Sequence, residues 1–359
     1  MPHTLITGAN SFVATYIIVD LISKGHTVTG IVRRTSAGND LLANHPEWSG
    51  KVAFEVVEDY ARKGAFDDIF QARGYDYVIH TAAPMPKATA LNFDEDFLRP
   101  GVDGTLNLLD SANANAPSLK SIAITGSANS VTGTIFSIMA RSAEENKVNE
   151  YTNDMWNDMT PRSARESQSP YIMYCSSKKE TELAVWEWVG TKKPKFGIIE
   201  ANSVVHKVTV LLPALIFGPP PTLEPPNLSV SFVYRFFNGT FQELPDTYAA
   251  GLFPTYVDVR DLATAHVRAL SSAGAVNQRF LIGAPELSSS LILGSLESFA
   301  KNSMPELEAR LPKDTGRDDN THLSLPRFNV NEGNETLSLN LRSAEETFGD
   351  VAKKIMELE

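Results

Sequence analysis

The segment Thr4-Leu-Ile-Thr-Gly-Ala-Asn-Ser-Phe-Val-Ala14 has the pattern of a short buried strand, a glycine turn and the start of a helix. From there to Thr125, short runs rich in branched residues alternate with longer helical runs. The predicted strands are 4–7, 27–32, 52–57, 77–81 and 121–125. Crossover helices such as 13–24 and 93–114 would cover both faces of the sheet. The chain is therefore predicted to be an α/β protein with a doubly wound parallel sheet.

A proline-rich run, Gly218-Pro-Pro-Pro-Thr-Leu-Glu-Pro-Pro226, follows the last strand predicted for this sheet, 208–212. Such a run favours an exit from the sheet into a second unit. Ligands of a doubly wound sheet bind beyond the carboxyl ends of its strands, so the first unit is predicted to hold a dinucleotide. The predicted division is a Rossmann domain over residues 1–217, with 255–272 returning to it, and a smaller C-terminal substrate-binding lobe with the C-terminal helix over 218–254 and 273–359.

The composition narrows the class of partner. The 359 residues carry 43 acidic and 32 basic side chains, and the net charge of -11 argues against a nucleic-acid partner. No apolar run approaches the roughly 18–20 residues that span a bilayer, and the N-terminus lacks the pattern of a signal peptide. Cys175 is the one cysteine, so no intrachain disulfide can form and a reducing compartment fits. These features predict a cytoplasmic protein, a monomer or homodimer, that acts on a small molecule.

The turn after the first strand is a candidate phosphate site. In dinucleotide-binding folds the pyrophosphate lies against free N–H groups of this turn and of the following helix. Gly8 occupies the first fingerprint position, while the small residues Ser11 and Ala14 replace the other two glycines. A simple strand-to-helix turn would have the same pattern. The predicted cofactor contacts at this turn are Gly8, Asn10, Ser11, Phe12 and Val13.

The residues after the second and third strands bear on which cofactor fits. An NAD-selective site usually has an acidic residue after the second strand, but Arg33 and Arg34 stand there instead. Two guanidiniums suit a 2′-phosphate, so NADPH/NADP+ is predicted over NAD, with solvated surface arginines as the alternative. Asp59, beside Tyr60, is predicted to accept from the adenine amine, with a solvated loop aspartate as the alternative. Further predicted contacts follow the fourth and fifth strands: Thr81, Ala82, Ala83 and Thr125.

The segment Tyr174-Cys-Ser-Ser-Lys178 places a phenol and an ammonium four residues apart in a predicted helix, 171–189. At this spacing the two side chains lie on one helical face. A free tyrosine titrates near about 10, and a neighbouring cation lowers that pKa toward the working range of a general acid or base. A tyrosine and a lysine at this spacing also occur by chance. The pair indicates a catalytic role because it follows the segment in which strands and helices alternate.

Carbonyl reduction needs a hydride donor, a proton donor for the developing alkoxide and a second group that polarises the carbonyl. Tyr174 is predicted to donate the proton and Ser127 to hold the substrate oxygen. Lys178 is predicted to lower the pKa of Tyr174 and to bind the nicotinamide ribose. Thr125 and Ser130 are the hydroxyl alternatives to Ser127.

Other features of the chain carry weaker chemical signals. His80 ends an apolar strand, and we interpret it as a packed, hydrogen-bonded histidine rather than a general base. No metal is predicted, because no His, Cys, Asp or Glu group has metal-ligand spacing, and no nucleophile elbow marks a hydrolase. The polar stretch after Ser127, up to Ser169, is predicted to be loop with short turns over the site, which could act as a lid.

Several motifs in this order resemble the extended short-chain dehydrogenase/reductases, in the branch of plant dihydroflavonol reductases and of fungal and yeast NADPH-dependent carbonyl, methylglyoxal and aldehyde reductases. The motifs are Thr7-Gly-Ala-Asn, Tyr77-Val-Ile-His-Thr-Ala-Ala-Pro84, Gly104-Thr-Leu-Asn-Leu-Leu, Tyr174-Cys-Ser-Ser-Lys-Lys-Glu-Thr-Glu, Leu212-Pro-Ala-Leu-Ile-Phe-Gly-Pro and Tyr256-Val-Asp-Val-Arg-Asp-Leu-Ala. The resemblance implies NADPH as hydride donor and small or aryl-bearing aldehydes and ketones as substrates. It assigns the family's site residues to Ser127, Tyr174, Lys178, Arg33 (phosphate), Asp59 (adenine) and the backbone of Pro213, Ala214 and Leu215 (nicotinamide).

The chain departs from the family pattern in three places. Ser11 replaces the usual second glycine of the turn. Residues 197–206 form roughly ten extra residues before the strand that leads to Pro213. The asparagine of the family's proton relay has no clear equivalent, since Pro100 and Gly101 occupy its neighbourhood, and Asn107 is interpreted as a helix-packing residue.

The leading prediction is an NADPH-dependent oxidoreductase that reduces an aldehyde or ketone to the alcohol. Ketoreductases of secondary (polyketide-type) metabolism are enzymes of this kind. A nucleotide-sugar epimerase or dehydratase would share the fold and the three catalytic residues, and a non-catalytic dinucleotide sensor would share the fold alone. The substrate-pocket residues predicted from the sequence are Met85, Pro86, Asn129, Ser130, Ile172 and Phe217.

Overall fold

A parallel sheet of seven strands lies at the centre of the molecule. The computed structural model describes residues 1–135, 137–138, 149–192, 198–200, 203–205, 207–223, 227–247, 253–316 and 325–359. In chain order the strands are β1 (His3–Thr7), β2 (Thr27–Val32), β3 (Val52–Val56), β4 (Tyr77–His80), β5 (Ser121–Thr125), β6 (Val208–Pro213) and β7 (Gln278–Ile282). Their order across the sheet is β7-β6-β5-β4-β1-β2-β3. The direction of winding reverses between β1 and β4, which is where a doubly wound sheet opens a ligand crevice.

Helices and short strands complete the described chain. The helices are Phe12–Ser23, Thr35–Asn44, Asp67–Ala72, Phe93–Asp103, Gly104–Asn115, Asn129–Thr132, Pro161–Ser167, Pro170–Lys192, Leu228–Tyr234, Val259–Ala269, Ser289–Ser303, Pro305–Glu308, Asn331–Thr336 and Ala344–Leu358, with single 3₁₀ turns at Pro46–Trp48 and Ala273–Ala275. The short strands pair as Leu215–Phe217 with Tyr256–Asp258, Glu150–Tyr151 with Arg327–Phe328, and Ile198–Glu200 with Ser203–Val205.

The predicted fold class is confirmed. All of the strands predicted for the sheet are present, and their bounds agree to within a residue. The extra segment 197–206 contains the antiparallel hairpin Ile198–Glu200 and Ser203–Val205, and its other residues lie outside the described part of the chain. In the stretch predicted to be loop with short turns, up to Ser169, Asn129–Thr132 is a single helical turn, whereas Pro161–Ser167 is a longer helix. Residues 136 and 139–148 of this stretch lie outside the described part of the chain.

The edge strand β7 corrects the predicted division of the chain. The sequence placed 273–359 in the lobe, but Gln278–Ile282 pairs in parallel with β6 and completes the main sheet. Its five residues run from the exposed Gln278 to three consecutive buried residues without alternating, and strand pairing between segments that are far apart in sequence leaves little local signal.

The predicted helix 93–114 is divided in two. Phe93–Asp103 has π-type hydrogen bonding and contains Pro100, and the α-helix Gly104–Asn115 follows without a gap. Proline lacks the N–H that an α-helical hydrogen bond requires, so a locally altered hydrogen-bond pattern is expected around it. A Cβ at Gly101 would lie 2.7 Å from the hydroxyl oxygen of Thr181 on the neighbouring helix, so any side chain there would require Thr181 to move.

Three of the four apolar clusters among the described residues hold these layers together, and the fourth packs Phe93 and Phe97 against the helix that carries Tyr174. One covers the sheet face that packs against helices Gly104–Asn115 and Pro170–Lys192, and a second covers the face under Phe12–Ser23 and Val259–Ala269. The third joins Leu228–Tyr234, Ser289–Ser303 and Ala344–Leu358 in the C-terminal part of the chain. Among the described helices, none combines the length and the apolar character that crossing a membrane requires.

Candidate active site

The turn after β1 has a conformation that glycine permits. Gly8 has φ +65°, and a Cβ added there would lie 3.1 Å from the backbone of Ala82. The N–H of Gly8 donates to the phenol oxygen of Tyr60 at 3.3 Å. Ser11 caps the next helix, and its hydroxyl accepts from the N–H of Ala14 at 3.3 Å. Other N–H groups of the first helical turn have no acceptor within the helix, so this turn suits a phosphate group.

The end of β4 lies beside this turn. The hydroxyl of Thr81 donates to the Thr7 carbonyl at 2.7 Å. The buried ring of His80 has one nitrogen 2.7 Å from the Thr7 hydroxyl and the other 3.0 Å from the Thr105 hydroxyl. Burial lowers the pKa of His80 to about 3, so the ring is neutral near neutral pH. The interpretation of His80 as a packed, hydrogen-bonded histidine is confirmed.

Two exposed arginines stand at the end of β2. Arg33 and Arg34 precede the helix Thr35–Asn44, whose first turn contains no acidic residue. The ion pairs found among the described residues involve neither guanidinium, whereas nearby surface arginines such as Arg73 and Arg99 have carboxylate partners. Both cations are therefore available to an anion from solution.

Asp59 already has partners within the protein. Its carboxylate accepts from Nη2 of Arg99 at 2.7 Å and from the N–H of Ala61 at 2.9 Å. The hydrogen bond from Arg99 holds the pKa of Asp59 below its usual range. Nδ2 of Asn107 donates to the carbonyl of Tyr60, the residue after Asp59, at 3.0 Å. This contact agrees with the structural role expected of Asn107. The adenine contact predicted for Asp59 stays a prediction.

Tyr174, Lys178 and Ser127 meet at the end of β5. Tyr174 and Lys178 lie on the helix Pro170–Lys192, and Nζ of Lys178 is 5.9 Å from the centre of the Tyr174 ring. The same ammonium donates to the carbonyl of Thr125, the last residue of β5, at 3.2 Å. Ser127 follows two residues later, and its hydroxyl interacts with the Tyr174 phenol. The structure thus brings these three predicted residues together although the sequence separates the serine from the helix.

The electrostatics of this cluster differ from the sequence prediction. Burial raises the pKa of the Tyr174 phenol to about 12, and the interaction with Ser127 opposes that rise. Burial also lowers the pKa of Lys178 to about 8, while the charge of Glu182 raises it. In the protein alone the net pKa of Tyr174 is therefore raised, because desolvation penalises the phenolate, and the lowering of that pKa by Lys178 stays a prediction.

Asn129 holds the Ser127 turn. The hydroxyl of Ser127 donates to Oδ1 of Asn129 at 3.1 Å, and the N–H of Asn129 donates back to that hydroxyl at 3.2 Å. Nδ2 of Asn129 donates to the Tyr171 phenol at 3.1 Å, and the Tyr171 and Tyr174 rings are stacked 6.4 Å apart. The end of β6 supports the same turn, since the Pro213 carbonyl accepts from the N–H of Ala128 at 2.9 Å.

Two hydroxyl alternatives to Ser127 face other partners. The Thr125 hydroxyl is 2.7 Å from Nε2 of His266, whose pKa burial lowers to about 4. The Ser130 hydroxyl is fully buried and donates to the Glu182 carboxylate at 2.8 Å. The prediction of Ser130 as a pocket wall is therefore corrected, because its side chain points into a buried polar network.

The other residues predicted to line the substrate pocket differ in how exposed they are. Phe217 is fully buried and packs edge-on against Tyr256 and Phe348, so its predicted place in the pocket is also corrected. Met85 is 53% exposed at the end of the segment after β4, while Pro86 and Ile172 are partly buried. A polar network behind the site was not predicted at all, and its members are Glu182, Arg279, Trp156 and Trp186.

The arrangement can deliver a proton to a small molecule. A neutral phenol, a serine hydroxyl and a lysine ammonium lie in a largely dehydrated position at the carboxyl edge of the sheet. The Gly8 turn and the exposed Arg33 and Arg34 lie on the same edge, as the topology requires. Within the described chain, no group of His, Cys, Asp or Glu side chains is placed to hold a metal ion.

Comparison with known proteins finds several with similar sequences. The model of the NAD dependent epimerase/dehydratase family matches residues 4–154. A putative NADPH-dependent methylglyoxal reductase of Candida albicans is 29% identical over 86% of this chain and 84% of its own length. A ketoreductase of Aspergillus niger is 29% identical over 98% of this chain and 97% of its own length.

A solved structure has the same fold from end to end. Yeast methylglyoxal/isovaleraldehyde reductase, determined in complex with NADPH, superimposes with a TM-score of 0.78 at 24% sequence identity. The alignment covers 99% of this chain and 98% of the yeast chain.

Proposed function

We propose that the chain is a member of the extended short-chain dehydrogenase/reductases, the NAD dependent epimerase/dehydratase family, and that it reduces an aldehyde or ketone to the alcohol with NADPH. The observation that carries the proposal is the meeting of Tyr174, Ser127 and Lys178 at the end of β5. Both named relatives are carbonyl reductases by their descriptions, and one of them is described as NADPH-dependent.

Tyr174 is the proposed proton donor. Reduction requires a protonated phenol at the start of the reaction, and burial keeps Tyr174 protonated at neutral pH. NADPH supplies the hydride when it is bound, so the carbonyl carbon gains a hydride and its oxygen gains the proton of Tyr174. The raised pKa of Tyr174 therefore suits reduction better than oxidation of an alcohol, which would need the phenolate.

Ser127 and Lys178 are proposed to position the reactants. The Ser127 hydroxyl, oriented by Asn129, would hold the substrate oxygen beside the Tyr174 phenol. Lys178 would bind the nicotinamide ribose with the N–H bonds that it does not direct at the Thr125 carbonyl. The backbone of Pro213, Ala214 and Leu215, next to the Ser127 turn, would face the nicotinamide.

The other end of the cofactor is proposed to lie along β1 and β2. The Gly8 turn and the N-terminus of the helix after it fit the pyrophosphate, because Gly8 leaves the backbone uncovered and the helix presents N–H groups. Arg33 and Arg34 fit the 2′-phosphate that distinguishes NADPH from NADH, since both guanidiniums are exposed and unpaired among the described residues. Residues from the C-terminal lobe would enclose the substrate.

The test is NADPH oxidation by the purified protein, followed by the near-ultraviolet absorbance of the cofactor, with methylglyoxal, aliphatic aldehydes, aromatic ketones and polyketide-like diketones as substrates. Parallel assays with NADH measure the cofactor preference. Turnover with NADPH well above that with NADH is the expected result. Measurable NADPH binding without turnover of any carbonyl would contradict the proposal, and interconversion of nucleotide sugars would favour an epimerase instead.

A further inference from the structure

A buried ion pair lies directly behind the proposed catalytic residues. Glu182 is 3% exposed, and both of its carboxylate oxygens are engaged by Arg279. Nε of Arg279 donates to Oε1 at 2.6 Å, and Nη2 donates to Oε2 at 3.0 Å. The indole N–H of Trp186 and the hydroxyl of Ser130 complete the shell of the carboxylate, at 3.3 and 2.8 Å. Such a doubly bonded, bidentate pair has a single well-defined geometry.

Arg279 joins this carboxylate to a third part of the molecule. Its Nη1 donates to the carbonyls of Asn153 and Met155, the latter at 2.8 Å. Its guanidinium carbon lies 3.8 Å from the centre of the Trp156 ring, within range of a cation–π interaction. The Arg279 side chain therefore links three elements: the edge strand β7, the segment 153–156 and the helix Pro170–Lys192.

The pair reaches the proposed catalytic residues by two routes. Ser130 lies within 2.8 Å of both the Glu182 carboxylate and the Ser127 carbonyl, and its N–H also donates to that carbonyl at 2.9 Å. Glu182 is one helical turn beyond Lys178, which in turn is one turn beyond Tyr174, so the three lie on adjacent positions of one helix face.

The surroundings of Lys178 make the charge of Glu182 influential. On its own helix Lys178 faces Tyr174 and Glu182; from β4 it faces His80, and from β5 it faces the Thr125 carbonyl. Tyr174 and His80 are both neutral near neutral pH. Glu182 is therefore the anion among these groups, and its charge is balanced by Arg279.

We propose that the Glu182–Arg279 pair is a positioning element of the active site, which anchors the Ser127 turn and sets the charge that Lys178 experiences. The inference rests on the proposed function for its catalytic meaning, but its structural content concerns Lys178 in the protein alone. Removing only the carboxylate leaves an unbalanced cation, which disfavours the ammonium form of Lys178. Removing only the guanidinium leaves an unbalanced anion, which favours that form.

The experiment measures the titration of Lys178 without cofactor or substrate. Trace labelling with acetic anhydride at a series of pH values, read by peptide mass spectrometry, reports the deprotonated fraction of Lys178, with the exposed Lys87 as an internal reference for the reagent. The midpoint of Lys178 is expected to move down by about 0.5 to 1 pH unit in Glu182→Gln and up by a similar amount in Arg279→Met. In the double variant Glu182→Gln/Arg279→Met, both charges are absent and the midpoint is expected to return toward the wild-type value.

Arg342→Met provides a matched control. Arg342 pairs with the buried carboxylate of Asp261, on the helix Val259–Ala269 that covers the opposite face of the sheet. Its loss should leave the Lys178 midpoint unchanged. If Arg279→Met does not fold, Glu182→Gln and the double variant still test the proposal, since they predict a lowered and a restored midpoint.

Shifts of opposite sign in the two single variants support the proposal. Shifts of the same sign, no shift, or an equal shift in Arg342→Met would overturn it, because general loosening of the fold moves all variants alike. A wild-type protein without carbonyl reduction would refute the proposed function but would leave the measured midpoints, and hence the electrostatic coupling, intact.

Discussion

The carboxyl edge of the sheet has two ends that are built in different ways. At the β2 end, Arg33 and Arg34 are adjacent in sequence, exposed and unpaired among the described residues. At the β5 end, Tyr174 and Lys178 are each 9% exposed, and Ser127 is 5% exposed. The first end is local in sequence and open to water, whereas the second is assembled from separate elements and dehydrated.

The difference shows how burial, rather than residue type, decides what a charged group can do. The exposed guanidiniums keep their full charge and can attract an anion from solution. At the dehydrated end, the same physical cost acts on two groups in opposite directions, raising the pKa of Tyr174 and lowering that of Lys178. Recognition is thus proposed for the open end and proton transfer for the closed end.

The largest expected effect is at the closed end. Tyr174→Phe removes the proposed proton donor while keeping the ring, and we expect kcat for carbonyl reduction to fall by about 10²–10⁴-fold. The affinity for NADPH, measured by fluorescence titration, should change little. Tyr234→Phe is the matched control, because it also removes one phenol hydroxyl, whose partner is the exposed Glu359. Retention of most activity in Tyr174→Phe would refute the proton-donor role.

Acid should weaken the closed end through its buried histidines. The pKa values of His80 and His266 are lowered to about 3 and about 4, so below about 6.5 the unfolded chain binds protons that the native rings do not. Their contribution to stability is therefore complete above about pH 6.5 and is lost as the pH falls. Between about pH 6.5 and 4.5 each ring should lower the free energy of unfolding by about 2–3 kcal/mol.

Urea unfolding at about pH 6.5 and about pH 4.5 measures this loss of free energy of unfolding. In His266→Gln the loss between the two pH values should be about half as large as the loss caused by both rings. An unfolding midpoint that is independent of pH in this range would contradict the neutral, buried state of both histidines.

At the open end, the expected effect is on cofactor choice. In Arg33→Ala/Arg34→Ala the KM for NADPH should rise by about 10- to 100-fold, the size expected for lost charge-assisted hydrogen bonds, while the KM for NADH changes little. The preference for NADPH in the wild type should also decrease with ionic strength, because exposed charges are screened. Arg73→Ala/Arg162→Ala, at two exposed arginines that pair with Glu55 and Glu166, controls for the loss of two positive charges. Equal losses with both cofactors would exclude a role for these arginines in recognising the 2′-phosphate.

The smallest expected effect concerns Asp59. Its carboxylate is 49% exposed and already accepts from Arg99, so Asp59→Asn should raise the Kd for NADPH by less than about fivefold. Arg99→Gln removes the same ion pair but leaves the carboxylate free for adenine. A larger loss in Asp59→Asn than in Arg99→Gln would favour the adenine contact, and equal losses would indicate that the ion pair alone matters.

The sequence was most informative where the deciding interactions are local. The strands up to Thr125 follow from runs of branched residues between helical segments, and the pairing of Tyr174 with Lys178 follows from helical spacing. The packed state of His80 also followed, because an apolar strand carries it into the interior. The unusual hydrogen bonding around Pro100 could have been expected from the proline itself.

Interactions between distant segments explain what the sequence did not show. Arg279 and Glu182 are 97 residues apart, and neither has a motif that would mark a partner. A similar distance along the chain between contacting segments explains why β7 was assigned to the lobe. It also explains why the burial of Ser130 and Phe217 was missed. For each of these residues, the direction of the side chain depends on the register of remote elements.

The sequence by itself determined the doubly wound α/β class, the glycine turn, the two arginines after β2 and the residues able to supply a proton. These follow from periodicity, spacing and residue chemistry, which act over a few residues. Only the tertiary structure decided that Tyr174 and Lys178 are dehydrated, that Ser127 joins them, and that Glu182 and Arg279 lie behind them. Burial decided this because the free energy of a charge depends on everything packed around it, and that packing comes from segments far apart along the chain.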